Sequence, residues 1–175
     1  MTKKKINAAD YAGDIIKALP RGILLTTKAG DKVNSMVIGW GTIGVNWGKP
    51  VFIAYVRESR YTHELLDQNP EFTINVPMGD FDRRILAVCG TKSGRNMDKL
   101  AACGLTPIEP ETITVPGLKE FPLTLECRVI YRQDQKIALF DDAMREGWYP
   151  VEDNGKRDFH TTYYGEIVDA YILEP

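Results

Sequence analysis

Residues 34–44 read NSMVIGWGTIG, and the second half, from Gly39 to Gly44, has the spacing Gly-x-Gly-x-x-Gly. In a Rossmann domain this spacing forms the loop that binds a dinucleotide pyrophosphate, between a strand and a helix that begins at the loop. The apolar run before Gly39 can form the strand, and Glu64 lies where an acid would bind the ribose. However, only three residues separate Gly44 from Gly48-Lys49-Pro50, so no helix can begin there. The stretch therefore predicts a β-strand and not a dinucleotide loop.

Glycines within a strand have two physical uses. They accommodate a bend or bulge, as at the corner of a barrel, and they let a flat ligand or another backbone approach closely. The pattern alone leaves both uses open for Gly39, Gly41 and Gly44.

The rest of the chain is predicted to be mainly β with short helices. Alternating or continuous apolar runs, rich in β-branched and aromatic residues, predict strands at 23–27, 33–40, 50–56, 71–77 and 123–131. Helical periodicity and capping residues predict helices at 8–19, from the cap Thr62 to 68, from the cap Asp80 to Gly90, and at 96–104. The segments 107–122 and 136–158 receive no regular element.

Composition limits the class of protein. The chain has 175 residues, 43% of them hydrophobic and 26% charged, which predicts one globular domain over 1–175. The formal net charge is −2 and basic residues are scattered, so no nucleic-acid partner is expected. The run Lys3-Lys4-Lys5 is interpreted as a solvated tail. With no apolar run of about 18 residues and no signal peptide, we expect no membrane partner and a cytoplasmic location.

Cysteine and histidine are too few for a metal or disulfide framework. There are three cysteines, Cys89, Cys103 and Cys127, and no two of them form a Cys-x-x-Cys pair. The only histidines are His63 and His160. No catalytic triad or carboxylate pair is recognisable. We therefore predict no metal site, and the cysteines are expected to be core residues.

Four blocks carry a family resemblance. They are NSMVIGW from Asn34, KPVFIAYVRESRYT from Lys49, EFTINVP from Glu71 and CGTKSGRNMDK from Cys89. In this order they resemble the flavin reductase-like family, and within it the flavoredoxin-type members. The resemblance implies an FMN-binding split β-barrel, a Greek-key-like antiparallel barrel that makes up the whole chain.

The resemblance also implies where FMN binds. The turn before the helix at Thr62 would hold the phosphate through residues that supply hydroxyls and positive charge: Arg57, Ser59, Arg60, Tyr61 and Thr62. The second anion-binding loop would contribute Lys92, Ser93 and, more weakly, Lys99. Judged from the residues alone, Thr62 can equally be a helix cap, both arginines can be solvated, and Lys99 can be the charged side of a helix.

The flavin ring would lie beside the first block. The family segment that runs along the ring matches Asn34, Ser35, Met36 and Val37, and the aromatic residue that follows matches Trp40; by composition, Met36 and Trp40 could also be core residues. His160 resembles the histidine of a Gly-Asp-His segment, although this chain reads Asp-Phe-His and its 136–158 segment is longer. His160 could tune the flavin or make an ordinary polar contact at a strand start.

The function implied is an FMN-binding oxidoreductase. The first hypothesis is an NAD(P)H-dependent flavin reductase that uses NADH or NADPH as substrate and passes electrons to a flavin, a redox partner protein or another acceptor. The alternative is a flavoredoxin-like electron-transfer protein with tightly bound FMN and no nicotinamide site. A third is a flavin- or nucleotide-binding module without redox activity. The resemblance also implies a homodimer.

Overall fold

The computed structural model describes residues 1–175. The ten strands are β1 (Thr2–Lys5), β2 (Ile23–Ala29), β3 (Lys32–Ile38), β4 (Gly41–Asn46), β5 (Lys49–Arg57), β6 (Glu71–Val76), β7 (Pro107–Ile108), β8 (Gly117–Leu118), β9 (Leu123–Asp134) and β10 (His160–Glu174). The five helices are α1 (Ala12–Ala18), α2 (Tyr61–Gln68), α3 (Arg84–Thr91), α4 (Lys99–Cys103) and α5 (Asp142–Trp148). Short 3-10 turns occur at Ala8–Tyr11, Leu19–Arg21 and Ile137–Leu139.

One antiparallel sheet forms most of the molecule. Seven strands follow the order β3-β2-β6-β9-β10-β5-β4, and β1 pairs with β10 as the eighth strand, while β7 and β8 form a separate small pair. The two end strands, β3 and β4, do not pair with each other, so the barrel stays open between them. This arrangement confirms the predicted mainly β split barrel.

The Gly-x-Gly-x-x-Gly stretch spans this opening. β3 ends at Ile38, Gly39 and Trp40 form the link, and β4 begins at Gly41. A Cβ on Gly41 would lie 2.6 Å from the Phe52 ring, so the absence of a side chain there lets that ring pack against the strand. No helix follows the stretch, which confirms that it is not a dinucleotide loop.

β10 connects the two halves of the barrel. Its first half, from His160, pairs with β5, and its second half pairs with β1, while β9 runs along both halves. The register with β9 shifts between Tyr164 and Gly165 and again between Ile167 and Asp169. Such bulges bend a strand, and they let one long strand serve both halves of a curved sheet.

The core lies inside the barrel. Its largest fully buried side chains include Phe52, Phe72 and Tyr163. A second apolar cluster, which includes Leu24 and Phe121, lies beneath α3 and α4. The packing of α3 and α4 on β2 and β3 places their connecting loop beside the open edge of the barrel.

Two interpretations of the N-terminal half were wrong. Residues Lys3 to Lys5 do not form a tail, because they belong to β1, where Lys4 pairs with Glu174 at 3.0 Å and Lys5 with Asp169 at 3.1 Å. Thr62 is not a helix cap: α2 begins at Tyr61 with Arg60 in the capping position, and the Thr62 side chain is buried. The first predicted helix is confirmed as α1 with a 3-10 turn at each end.

Two other helices begin later than predicted. α3 begins at Arg84 instead of Asp80, and α4 begins at Lys99, where the Asp98 side chain caps the helix by accepting from the N–H of Ala101 at 3.0 Å. Gly104 ends α4 in the left-handed conformation. The segment 136–158, which received no element from the sequence, contains α5. None of the helices is long and apolar enough to span a membrane.

Candidate functional site

Three parts of the chain form one groove at the open edge of the barrel. They are the edge strand β3, the turn that leads into α2 and the loop between α3 and α4. The deeper end of the groove, about 120 Å³, is lined by Asn34, Met36, Val37, Ser59, Arg60, Tyr61, Thr62, Cys89, Gly90, Thr91, Lys92, Ser93, Gly94, Arg95 and Lys99. An adjoining part of about 200 Å³ shares Met36, Val37 and Arg60 and extends to Trp40, Tyr55, Arg57 and His160.

The deeper end is strongly basic. Its lining contains Arg60, Lys92, Arg95 and Lys99 and no acidic side chain. Arg95 is paired with Glu64, whereas Arg60 and Lys92 take part in none of the salt bridges of the protein. Two cations without a carboxylate partner, facing the same cleft, are suited to an anionic ligand.

Backbone N–H groups add to this positive potential. The first N–H groups of a helix have no partner within it, and Arg60 offers no side-chain cap to α2, so the N–H groups of Tyr61 and Thr62 remain unpaired. The N–H groups of Ser93 and Gly94 also lack acceptors within the protein. Donors from two elements therefore face the basic end of the groove.

Asn34 provides a buried polar atom without a partner. Its Nδ2 donates to Thr62 Oγ1 at 2.9 Å. Its Oδ1 is buried and accepts no hydrogen bond. Because an unsatisfied buried acceptor is costly, this oxygen indicates a place where a ligand donor belongs.

Gly94 lets the loop approach Asn34. A Cβ on Gly94 would overlap Asn34 Oδ1 and would lie 2.9 Å from both Asn34 Cγ and Tyr61 Cδ1. The loop that carries Lys92 and Ser93 can therefore lie against β3 only with glycine at this position.

Lys99 lies beneath the groove. Its Nζ donates to the carbonyl oxygen of Ser35 at 3.0 Å and to that of Cys89 at 3.2 Å. The side chain is buried, and burial lowers the pKa of its ammonium group. The observed contacts join α4 to β3 and α3, so Lys99 supports the floor of the groove.

The edge of β3 presents backbone groups to the groove. The Ser35 carbonyl points away from β2, towards Lys99. Since residues two apart in an antiparallel strand turn their backbone groups to the same side, the N–H and C=O of Val37 face outwards as well. The Ser35 side chain instead points inwards and bonds to Thr26 Oγ1 at 2.8 Å, away from the groove.

Two of the residues predicted to hold a phosphate have partners in the segment 136–158. Arg57 donates to the backbone carbonyls of Trp148 and Asp158. Ser59 Oγ donates to Asp158 Oδ2 at 2.7 Å, and its N–H donates to Asp158 Oδ1 at 3.1 Å. The structure thus places Arg57 and Ser59 as anchors of this segment, and it leaves Arg60, Tyr61 and Thr62 beside the basic end.

The comparison with known proteins decides the family. The model of the family described as "Flavin reductase like domain" matches residues 16–175. The chain belongs to the flavin reductase-like family. This membership confirms the resemblance seen in the sequence, and it supports a flavin cofactor.

Individual relatives agree with the family. An uncharacterized protein of Archaeoglobus fulgidus is 30% identical over 130 residues, which are 74% of this chain and 69% of that protein. The flavoredoxin of Desulfovibrio vulgaris (Miyazaki F) is 26% identical with a TM-score of 0.66, over 87% of this chain and 69% of its own. A flavoredoxin from Methanosarcina acetivorans is 28% identical with a TM-score of 0.63, over 87% of this chain and 68% of its own.

In this flavin reductase-like protein, the groove ends at a cluster of aromatic rings. The Trp40 ring lies 4.9 Å from that of Trp148 in an edge-on arrangement and 5.2 Å from that of His160, measured between centroids. Tyr149 donates its hydroxyl proton to Gln135 Oε1 at 2.7 Å, so its oxygen accepts from His160 Nδ1 at 2.9 Å. The neutral imidazole then leaves Nε2 as an acceptor.

His160 is neutral near pH 7. Burial, together with the nearby positive charge of Arg57, lowers its pKa from 6.5 to about 4. Between these two values the unfolded chain binds more protons than the folded protein, so stability falls as the pH decreases through this range.

We expect this pH dependence to disappear in His160→Gln. Urea unfolding at about pH 7.5 and about pH 4.5 should show that the wild-type protein loses about 2 kcal/mol more stability than the variant, a value reduced for solvent screening at the groove. Titration of other groups is common to both proteins, so the difference isolates His160. Equal losses in the two proteins would show that the pKa of His160 is not lowered.

Some residues of the groove and its aromatic end were not identified from the sequence. Gly94 stood inside the quoted block, but its contact with Asn34 depends on the tertiary structure. Tyr55 occupied a predicted strand without any sign that it faces the groove. Gln135 lies just before the segment 136–158 and Tyr149 lies within it. This segment has no strong periodicity, and its aromatic residues were the available signal.

Proposed function

We propose that the groove binds FMN, with its phosphate at the basic end. The observation that carries this proposal is the pair of cations without a carboxylate partner, Arg60 and Lys92, in a lining with no acidic side chain, beside an apolar floor formed by Met36 and Val37. A phosphate dianion would accept from Lys92, Arg60 and the unpaired N–H groups at the start of α2 and in the loop at Ser93.

The rest of the groove suits the remaining parts of FMN. Asn34 lines the groove beside the phosphate end, and its buried Oδ1 accepts no hydrogen bond within the protein. The outward N–H and C=O of Val37 can pair with the polar edge of the ring, while the Met36 side chain offers an apolar contact. These groups fit FMN by their chemistry, and they exclude water from one side of the ring.

We propose that the protein is an oxidoreductase dependent on NADH or NADPH. When bound, FMN would supply two-electron chemistry between the nicotinamide and an acceptor. The role of the protein is binding and orientation, so no nucleophile or carboxylate pair is required. Neutral His160, held by Tyr149, provides an acceptor at the far end of the groove without adding positive charge near neutral pH.

The alternative is a flavoredoxin-like electron carrier that receives electrons from a redox partner protein. The similarity to two flavoredoxins favours it. It also requires no nicotinamide site, and none is recognisable in the chain by its chemistry. The two proposals differ in whether NADH or NADPH alone reduces the bound flavin.

The deciding experiment uses purified protein loaded with FMN. The absorbance of the flavin is followed after addition of NADH or NADPH without oxygen, and nicotinamide oxidation is then measured with an added acceptor. Bleaching of the flavin supports the reductase, and stable oxidised flavin supports the carrier if dithionite still reduces it. A protein that fails to bind added FMN would contradict both.

We also propose that residues 1–175 act as one domain and that two copies associate. An exposed aromatic cluster supports association: the rings of Trp47 and Tyr131 lie 5.6 Å and 5.2 Å from that of Tyr164. Trp47 and Tyr131 are exposed, as are Val45 and Ile130, which are near them in sequence. Apolar patches of this kind mark protein interfaces, and sedimentation velocity measures the association directly.

A further inference from the structure

A second, larger pocket adjoins the groove. It measures about 590 Å³ and lies between the helical segment around α1, the start of β4 and the segment 136–158. Its lining residues are Ile16, Leu19, Pro20, Gly39, Trp40, Gly41, Tyr55, Gln135, Phe140, Met144, Trp148 and Tyr149. The volume lies within the range of small-molecule sites, roughly 300–1,000 Å³.

The lining is uncharged. None of the twelve residues is acidic or basic, in contrast to the basic groove next to it. A charged ligand would lose hydration there without gaining a partner, which disfavours a phosphate-bearing dinucleotide as the occupant. The chemistry of the walls therefore selects a neutral, largely apolar compound.

Two hydrogen-bond donors remain available in this pocket. The Gln135 Oε1 atom accepts from Tyr149, so the Gln135 amide N–H groups are free to donate to a ligand. The Tyr55 hydroxyl has only a long contact of 3.5 Å with Thr42 Oγ1. Free donors in an apolar pocket suit a ligand with carbonyl acceptors.

The pocket is continuous with the groove and held in place. Gly39, Trp40 and Tyr55 line both the pocket and the part of the groove at His160. The outer wall is anchored because Arg57 donates to the Trp148 carbonyl and Ser59 bonds to Asp158. Yet Trp40 is 38% exposed, Met144 44% and Trp148 49%, so their apolar surface is accessible to a ligand.

We propose that this pocket binds a neutral, planar aromatic carbonyl compound of quinone type. Its place beside the groove makes the compound the electron acceptor of the protein, and this role rests on the proposed function. NAD(P)H and one proton supply the two electrons and two protons that convert a quinone to its hydroquinone. Binding itself depends only on the apolar walls and the two donors.

The test is calorimetric titration of the flavin-free protein with 2,3-dimethyl-1,4-naphthoquinone, whose C2 and C3 both carry methyl groups, so that thiols do not readily add to the quinone ring. Met144→Glu places a charge in the pocket wall and should weaken binding about tenfold or more. Leu139→Glu is the matched control, because Leu139 is 82% exposed and lies outside the lining, so its affinity should equal that of the wild-type protein.

Two results would overturn the proposal. Either the wild-type protein does not bind the naphthoquinone, or Met144→Glu and Leu139→Glu weaken its binding equally. If the quinone does not bind and Met144→Glu dissociates a dimer in sedimentation velocity, the pocket faces a second copy of the chain. FMN affinity of the same proteins is measured separately: failure of FMN binding with intact quinone binding contradicts the proposed function but leaves the pocket assignment standing.

Discussion

Replacing Gly94 with alanine is expected to weaken FMN binding about hundredfold. The new Cβ would overlap Asn34 Oδ1 and lie 2.9 Å from Tyr61 Cδ1, and buried Asn34 is held by Thr62, so the loop must move outwards. The movement takes Lys92 and Ser93 away from the phosphate. Loss of one or two charge-assisted hydrogen bonds, each about 1.5–3 kcal/mol, accounts for the factor. Quenching of FMN fluorescence during titration measures it.

Gly13→Ala is the control for this prediction. A Cβ on Gly13 would meet no atom within 4 Å, and alanine favours the helix α1. Its FMN affinity should match that of the wild-type protein, and its stability should increase slightly. If Gly94→Ala binds FMN as tightly as Gly13→Ala does, the loop is not part of the FMN site.

Gly165→Ala is expected to reduce the free energy of unfolding by about 3 kcal/mol, at the upper end of typical overpacking costs. The Cβ would lie 2.5 Å from Phe72 Cζ and 2.9 Å from Cys127 Cβ. Both of these residues are fully buried, and Gly165 lies at the first register shift between β10 and β9, so neither the strand nor the two side chains can move away easily. Urea unfolding followed by far-ultraviolet circular dichroism measures the loss.

The matched control is Gly44→Ala in the edge strand β4. No atom lies within 4 Å of a Cβ at that position, so we expect a change within about 0.5 kcal/mol. The two variants compare the same substitution in a strand that has no room for a new Cβ and in a strand that has room for it. A similar free energy of unfolding for both variants would show that the Phe72 ring is free to move away from Gly165.

Much of the fold could be predicted from local patterns. The strands at Phe72 and Leu123 alternate apolar and polar residues because one face is buried in the barrel. The Lys3 to Lys5 run has no such pattern, and it becomes a strand only because β10 offers a free edge far away in sequence. Helix α5 is exposed on most sides, so burial leaves little periodicity to detect.

The candidate site was predictable to the extent that its residues lie in continuous blocks. The blocks at Asn34, Tyr61 and Lys92 do meet in one groove. The roles of Arg57 and Ser59 could not be predicted, because they depend on Asp158, about a hundred positions further along the chain, and pairing over such separations leaves no local signal. The charge-free pocket is a property of three separate segments and exists only after they pack.

The position of β10 in the sheet has a consequence for the order of folding. Without His160–Glu174, the sheet order separates into a four-stranded sheet, β3-β2-β6-β9, and a β4-β5 hairpin, with unpaired edges on β9 and β5. Until β10 has paired, the chain therefore has two unpaired strand edges and no closed core. The interval before β10 pairs is thus the one in which the folding chain is most exposed to aggregation.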